Sequence, residues 1–202
     1  FFVDKLWSYF VPQPPSAPVR DALMGIYNSS GRQIRPVLET ILISPDLYQG
    51  PAMVKPPVVQ LAGMLRALGR YVDTDAWTWL CEPAGQVLFR PPNVSGWDDT
   101  RWLDTSRMRA RWNLVHYALD EVSVDAWGGG YSTTESAEEA LDRAIASWDS
   151  PALRPEHRAE LLEFSRRVEK QVVANWQRGP YRAMRQNALL QLIGVSPDTI
   201  LQ

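Results

Sequence analysis

Three tryptophans, Trp97, Trp102 and Trp112, stand close in sequence to Arg90, Arg101 and Arg107. Indole faces beside guanidinium groups suit sugar rings and anions, through stacking, CH–π contact and charge-assisted hydrogen bonds. The same residues have a plainer use, because a tryptophan buries about 150 to 250 Å² and irregular loops need such anchors. Anchoring is the favoured expectation. Asp98, Asp99 and Asp104 offer a carboxylate pair for glycoside hydrolysis or oxygen ligands for a hard cation. Neighbouring aspartates usually point apart and no glycine-punctuated calcium loop surrounds these, so solvent exposure and helix capping are expected instead. Lys55 precedes Pro56-Pro57, and Arg35 precedes Pro36. Each is suited to an anion at a helix start or to a carboxylate tether, and the tether is expected. If the chain holds a binding site, its residues are Lys55, Arg90, Asn93, Trp97, Asp98 and Trp102.

No complete catalytic set can be assembled from the sequence, so no catalytic residue is assigned. Ser95 lacks the Gly-x-Ser-x-Gly elbow and a preceding strand. Cys81 follows Trp79-Leu80 with no histidine nearby, which predicts a buried, inert thiol. His116 and His157 are far apart; a structural hydrogen bond is expected for the first and a surface place in a first helical turn for the second. One cysteine and two separated histidines point to no metal site, and no cofactor is called for.

These residues belong to a shaped loop, Leu88-Phe-Arg-Pro-Pro-Asn-Val-Ser-Gly-Trp97, closed by Trp102-Leu-Asp-Thr-Ser106. Pro91 and Pro92 fix two φ angles, Gly96 supplies a positive φ beside Trp97, and Asn93 and Ser95 can bond back to the backbone.

The elements that must position this loop are helical throughout. Val3, Leu6, Trp7 and Phe10 share a face; so do Val19, Ala22, Leu23 and Ile26 after a Ser16 cap, and Val37, Leu38, Ile41 and Leu42 from Pro36 to Ile43. Pro56-Pro57 open a helix with the stripe Val58, Leu61, Ala62, Leu65 and Leu68, ended by Gly69. A short helix covers 74–81. After an Asp104 cap, Met108, Trp112, Val115 and Leu119 form the next stripe, with Arg107, Arg109 and Arg111 turned elsewhere. Ala137, Leu141, Ala144, Ile145 and Trp148 define another helix, and Leu161, Phe164, Val168, Val172 and Trp176 a longer one supported by a Glu163 to Arg167 pair. The last helix spans 180–193 with Gly194 as its stop. Ser44-Pro45-Asp46 and Ser196-Pro197-Asp198 predict turns. The fold expected is all-α: an irregular multi-helix bundle with a long Pro/Gly/Trp-rich loop and a C-terminal helical subdomain. Residues 1–127 form the core region, 128–133 a Gly-rich linker, and 134–202 the subdomain packing on it.

A chain of 202 residues buries roughly 70% of its unfolded surface and can sustain a core. It is 45% hydrophobic and 22% charged, and no apolar run approaches the roughly 18 residues of a membrane span. Only Lys5, Lys55 and Lys170 are lysines among the 21 basic residues, and the net charge is −2. Scattered arginines under a slight excess of acid exclude a general nucleic-acid surface. The chain starts Phe1-Phe2-Val3 inside an amphipathic pattern, which is read as a piece of a longer protein lacking its N-terminal part.

Several ordered strings coincide with one family. They are Phe2-Val-Asp-Lys-Leu-Trp7 with Tyr9-Phe-Val11, Ile34-Arg-Pro-Val-Leu38 with Ser44-Pro-Asp46, Val54-Lys-Pro-Pro57, Leu68-Gly69, Gly85-Gln86 with Leu88-Phe89, Pro91-Pro-Asn-Val94 with Gly96-Trp97, and Trp102-Leu103 with Thr105-Ser106 and Arg111. Through them the chain resembles the bacterial domain-of-unknown-function 1800 family over residues 1–120, and again in its closing Leu189 to Leu201. It departs from the pattern at Asp98-Asp99, where a proline or glycine is expected, and at Asp104, where asparagine is usual. The resemblance implies the C-terminal portion of a larger bacterial protein, an exported or cell-envelope setting, and partnership with the exported alkaline-phosphatase-like protein often encoded beside the family. The functional expectation is a non-catalytic structural or interaction module. The alternative is part of an enzyme, or a carbohydrate- or anion-binding site, completed by the missing N-terminal part.

Overall fold

The computed structural model describes residues 1–98, 101–125 and 134–201. Eleven α-helices occur among the described residues, and the only extended pairing there is a single antiparallel bridge between Val54 and Leu201. The fold is all-α, as the periodicity predicts. None of these helices is long and apolar enough to cross a membrane. The chain divides into two compact units, Phe1–Met53 and Val54–Gln202.

In the first unit, α1 (Phe2–Trp7), α2 (Ala17–Ser29), α3 (Ile34–Leu42) and α4 (Pro45–Gln49) surround a small core of Val3, Trp7, Val11, Leu23, Val37 and Ile41. Trp7 satisfies its indole N–H on the carbonyl of Gln13 at 2.7 Å, so the proline-rich link after α1 folds back over that ring. Leu42, expected inside, is 43% exposed, because α3 is only 9 residues long and its buried face is set by Val37 and Ile41. Ser44-Pro45-Asp46 does more than turn the chain. The Ser44 hydroxyl accepts from the Asp46 N–H, Pro45 takes the first helical position, and the short α4 follows.

The second unit holds α5 (Pro57–Ala67), α6 (Ala76–Cys81), α7 (Thr105–Leu119), α8 (Ala137–Ser147), α9 (Pro155–Lys170), α10 (Arg178–Gly194) and α11 (Pro197–Ile200). Helix α10 is the hub, packing against α7, α8 and α9. Leu61, Leu65, Trp77, Leu114, Val115, Leu141, Leu161, Leu189 and Ile193 belong to one continuous core. The expected Gly-rich linker 128–133 lies outside the described residues, and the helices before and after it share this core. Ser136 opens α8 with a full capping box to Glu139, and Asp104 opens α7 by accepting from the Arg107 N–H at 2.9 Å.

Five expectations need correction here. Ala62 is exposed, and the inner face of α5 is completed by Gln60 and Met64 instead. On α7, Arg111 is fully buried while Trp112 is 44% exposed, so the inward face is rotated from the one predicted. Helix α9 stops at Lys170, leaving Val172 and Trp176 beyond it. The Glu163 to Arg167 pair gives way to bridges between helices, Arg158 to Asp142 and Arg166 to Glu138, because α8 presents those acids to α9.

Gly194 is the fifth. It does not stop a helix; it is the last residue of α10 and is buried. A Cβ there would meet Val115 Cγ1 at 2.6 Å and Trp148 Cζ2 at 2.7 Å, so glycine lets α10, α7 and the Trp148 ring close on one another. Trp148 is held by its indole N–H on the Leu190 carbonyl at 2.9 Å and has little room to yield. Gly194→Ala should therefore lower stability by about 1 to 3 kcal/mol, despite alanine's better helix propensity, in a urea melt monitored by circular dichroism.

Candidate functional site

The Pro-rich loop is organised from inside by Arg111. Its Nε donates to the Trp102 carbonyl at 3.2 Å, Nη2 to the Lys55 carbonyl at 2.8 Å, and Nη1 to Gln60 Oε1. The planar fork thus ties the end of the loop, the segment before α5 and α5 itself to α7. All three acceptors are neutral, and burial pulls the guanidinium down to about 10. Cys81 lies in the same core, and burial pushes its thiol up to about 11, the state of an inert packing group.

Other strings that carry the resemblance serve the same junction. Gln86 is buried, and its Oε1 accepts from the Val58 N–H at 3.0 Å, capping an α5 that two prolines had left without side-chain capping. Gly85 has a φ of +104°, and a Cβ there would stand 2.9 Å from Arg107 Nε; the glycine makes room for that side chain to reach the Arg101 carbonyl. In the loop, Asn93 Oδ1 accepts from the Ser95 N–H at 2.8 Å and its carbonyl from Gly96, whose φ is +91°. This is the local turn chemistry the sequence predicts.

The six expected binding residues are placed as follows. Trp102 is buried at 4% exposure and is the loop's anchor, whereas Trp97 is half-buried. Arg90, Asn93 and Asp98 are exposed along the loop. Asp99 lies outside the described residues. Lys55 points away from them. Its ammonium donates to the Thr199 carbonyl at 2.9 Å, its N–H to the Ile200 carbonyl at 2.8 Å, and burial lowers its pKa. It is a tether, but to backbone carbonyls and not to a carboxylate. Arg35, in the first unit, pairs with Glu39 at 2.8 Å. Lys55 and the loop residues are thus committed to separate tasks by their own hydrogen bonds.

Beside these polar residues the loop presents apolar side chains outward. Phe89 is 92% exposed in a left-handed conformation (φ 60°), which a bulky residue adopts at a cost of about 1 to 3 kcal/mol. Leu88 and Val94 are exposed as well. Where the loop meets α7, Leu103, Thr105, Met108, Arg109 and Trp112 line a shallow depression of about 500 Å³, with Leu103 and Trp112 each 44% exposed.

Sequence reasoning misses two features of this unit. Its charge argues for turning Arg111 outward, but Leu114, Val115 and Ala118 at i+3, i+4 and i+7 from it mark that phase as the inward face. His157 is not a plain surface residue: Asp198 accepts from Arg154 Nε at 2.9 Å and lies 2.7 Å from His157 Nδ1, joining α9 to α11. Burial raises the Asp198 carboxyl, but the bonds from His157 and Arg154 outweigh it and hold the group below the usual carboxylate range.

Three outcomes follow. Arg111→Leu orphans two buried carbonyls and an amide oxygen, and should cost at least about 3 kcal/mol, a drop of roughly 6 to 12 °C in thermal midpoint. Trp102→Ala should cost about 3 to 5 kcal/mol and Trp97→Ala clearly less, in the same melts. Asp198 is stabilising at neutral pH, and that contribution is lost as pH falls through its lowered folded-state pKa. Asp198→Asn should therefore reduce the midpoint at pH 7 and flatten its decline on acidification.

The family model described as "Protein of unknown function (DUF1800)" matches residues 1–201. No curated protein and no solved structure matches the chain.

Proposed function

For a chain that belongs to the DUF1800 family, itself of unknown function, we propose an interaction role: a non-catalytic helical module that holds a rigid apolar face for a protein partner. The observation that carries it is the depression of Leu103, Met108 and Trp112, set where Trp102 and Arg111 fix the loop from beneath. A half-exposed indole with aliphatic neighbours and one arginine, on an immobilised support, has the composition of a binding hot spot. Phe89 adds to this reading, since an exposed ring in a strained conformation contributes nothing to the core. The candidate nucleophiles and bases are dispersed: Ser95 on the loop, Cys81 in the core, His157 on Asp198, and His116 beside a different depression near Asn187 and Gln191.

The partner suggested by the resemblance is the exported alkaline-phosphatase-like protein, which also favours an exported or envelope setting. The test is a titration between the two purified proteins. Binding is expected, with Trp112→Ser and Phe89→Ser each weakening it by about tenfold or more without moving the thermal midpoint of the free chain. Binding untouched by both substitutions would remove this face from the role. Response to soluble oligosaccharides that depends on Trp112, with none to the protein, would favour the carbohydrate-site alternative.

A further inference from the structure

A cavity of about 390 Å³ lies in the second unit, bounded by α5, the corner after α8 and the segment from the end of α10 into α11. Val59, Met64, Ala67, Trp148 and Pro151 give it apolar walls. Its polar side is rich in donors. The Lys55 ammonium spends one of its three N–H groups on the Thr199 carbonyl, and Arg66 is exposed at the edge. Gln60, 3% exposed, gives its Oε1 to Arg111, while its Nε2 is buried with no hydrogen-bond partner among the described residues.

Charge runs the same way. Arg111 stands behind this wall, bonded to Gln60 and to the Lys55 carbonyl. Among the described residues no carboxylate comes within ion-pair distance of Arg111, Lys55 or Arg66. Of the two aspartates on the cavity, Asp198 is held by Arg154 and His157, and Asp149 is exposed at the corner after α8. A half-buried ammonium in front of a buried guanidinium, neither with a counter-ion, makes the cavity a favourable place for one negative charge.

Gly63 shows that the space is kept open. It sits in the interior of α5 and lines the cavity, where alanine would be the better helix former. Close packing does not demand it, since a Cβ there would meet no neighbour within 4 Å. A side chain at this position would project into vacant space beside the apolar walls.

We propose that this cavity binds a small organic carboxylate, its anionic end at the Lys55 ammonium and its short apolar body along Met64, Ala67 and Trp148, with Arg66 at the edge. The volume falls in the range of ligand pockets, roughly 300 to 1,000 Å³. A hydrated inorganic anion gains nothing from the apolar walls, whereas a short acyl or aryl body is drawn out of water by them. Lys55 presents a compact point charge, which suits a single carboxylate. The inference is independent of the docking face on the loop and α7.

The experiment titrates the 202-residue chain with hexanoate and with phenylacetate, by calorimetry and thermal melts. Acetate lacks the apolar body and hexanamide lacks the charge, and both serve as controls at matched ionic strength. Saturable binding and a raised midpoint are expected for hexanoate and phenylacetate, with both controls at least about tenfold weaker. Gly63→Leu, which fills the cavity, should abolish hexanoate binding while the free chain melts at or above its original midpoint. Lys55→Gln should erase the preference for hexanoate over hexanamide, a ratio that a mere loss of stability would not move. A chain that melts cooperatively but binds hexanoate no better than hexanamide or acetate overturns the proposal. So does hexanoate binding that Gly63→Leu leaves unchanged.

Discussion

A buried guanidinium with only neutral acceptors is the constraint from which the second unit is built. Arg111 cannot return its charge to water without releasing two backbone carbonyls and an amide oxygen, each of which is costly to bury unpaired. The loop, the segment before α5, α5 and α7 are therefore correct together or not at all. Arginine fits this role because its donors diverge in a plane toward three separate chain segments, which one ammonium or a packed apolar side chain cannot do. The cost is a cation held in a poorly solvating interior, visible as the lowered pKa of the group.

That arrangement separates what holds the loop from what the loop displays. Trp102 within it, and Gly85 and Gln86 just before it, are consumed by capping, close approach and burial. Its outer residues, Leu88, Phe89 and Val94, have no internal task. Rigidity beneath an exposed apolar surface lowers the entropy lost on docking, and this links the fold to the proposed role.

Much of the architecture was legible because it follows from period and punctuation. The helix start at Pro57, the start after the Asp104 cap and the stop at Gly69 lie where proline, cap and glycine place them. The misses have a common physical cause: polar residues inside. Arg111, Gln60 and the arginines of α10 occupy inward phases, and a rule that turns charge outward assigns them to the wrong face. Their burial depends on partners distant in sequence, from the Trp102 carbonyl to Glu135, which no local pattern announces. Gly194 was misread for a related reason, since a glycine at a helix end signals a cap unless one knows that Val115 and Trp148 stand against it. The candidate site was less legible than the fold: the sequence located the loop, but only the hydrogen bonds show that Lys55 faces the C-terminal segment and that Trp102 and Trp97 differ in burial.

The junction between Lys55 and Thr199, with the bridge from Val54 to Leu201 beside it, joins residues 144 positions apart. On a ribosome the helices of this unit would be made in order, yet the segment before α5 must wait for α11 before its own backbone is paired. Contacts of such long sequence separation are entropically late, so the unit would remain an unlatched assembly of helices through most of its synthesis. The nascent chain thus passes through a period in which its hydrophobic core is available to chaperones and proteases, and the closing strand-like contact ends it.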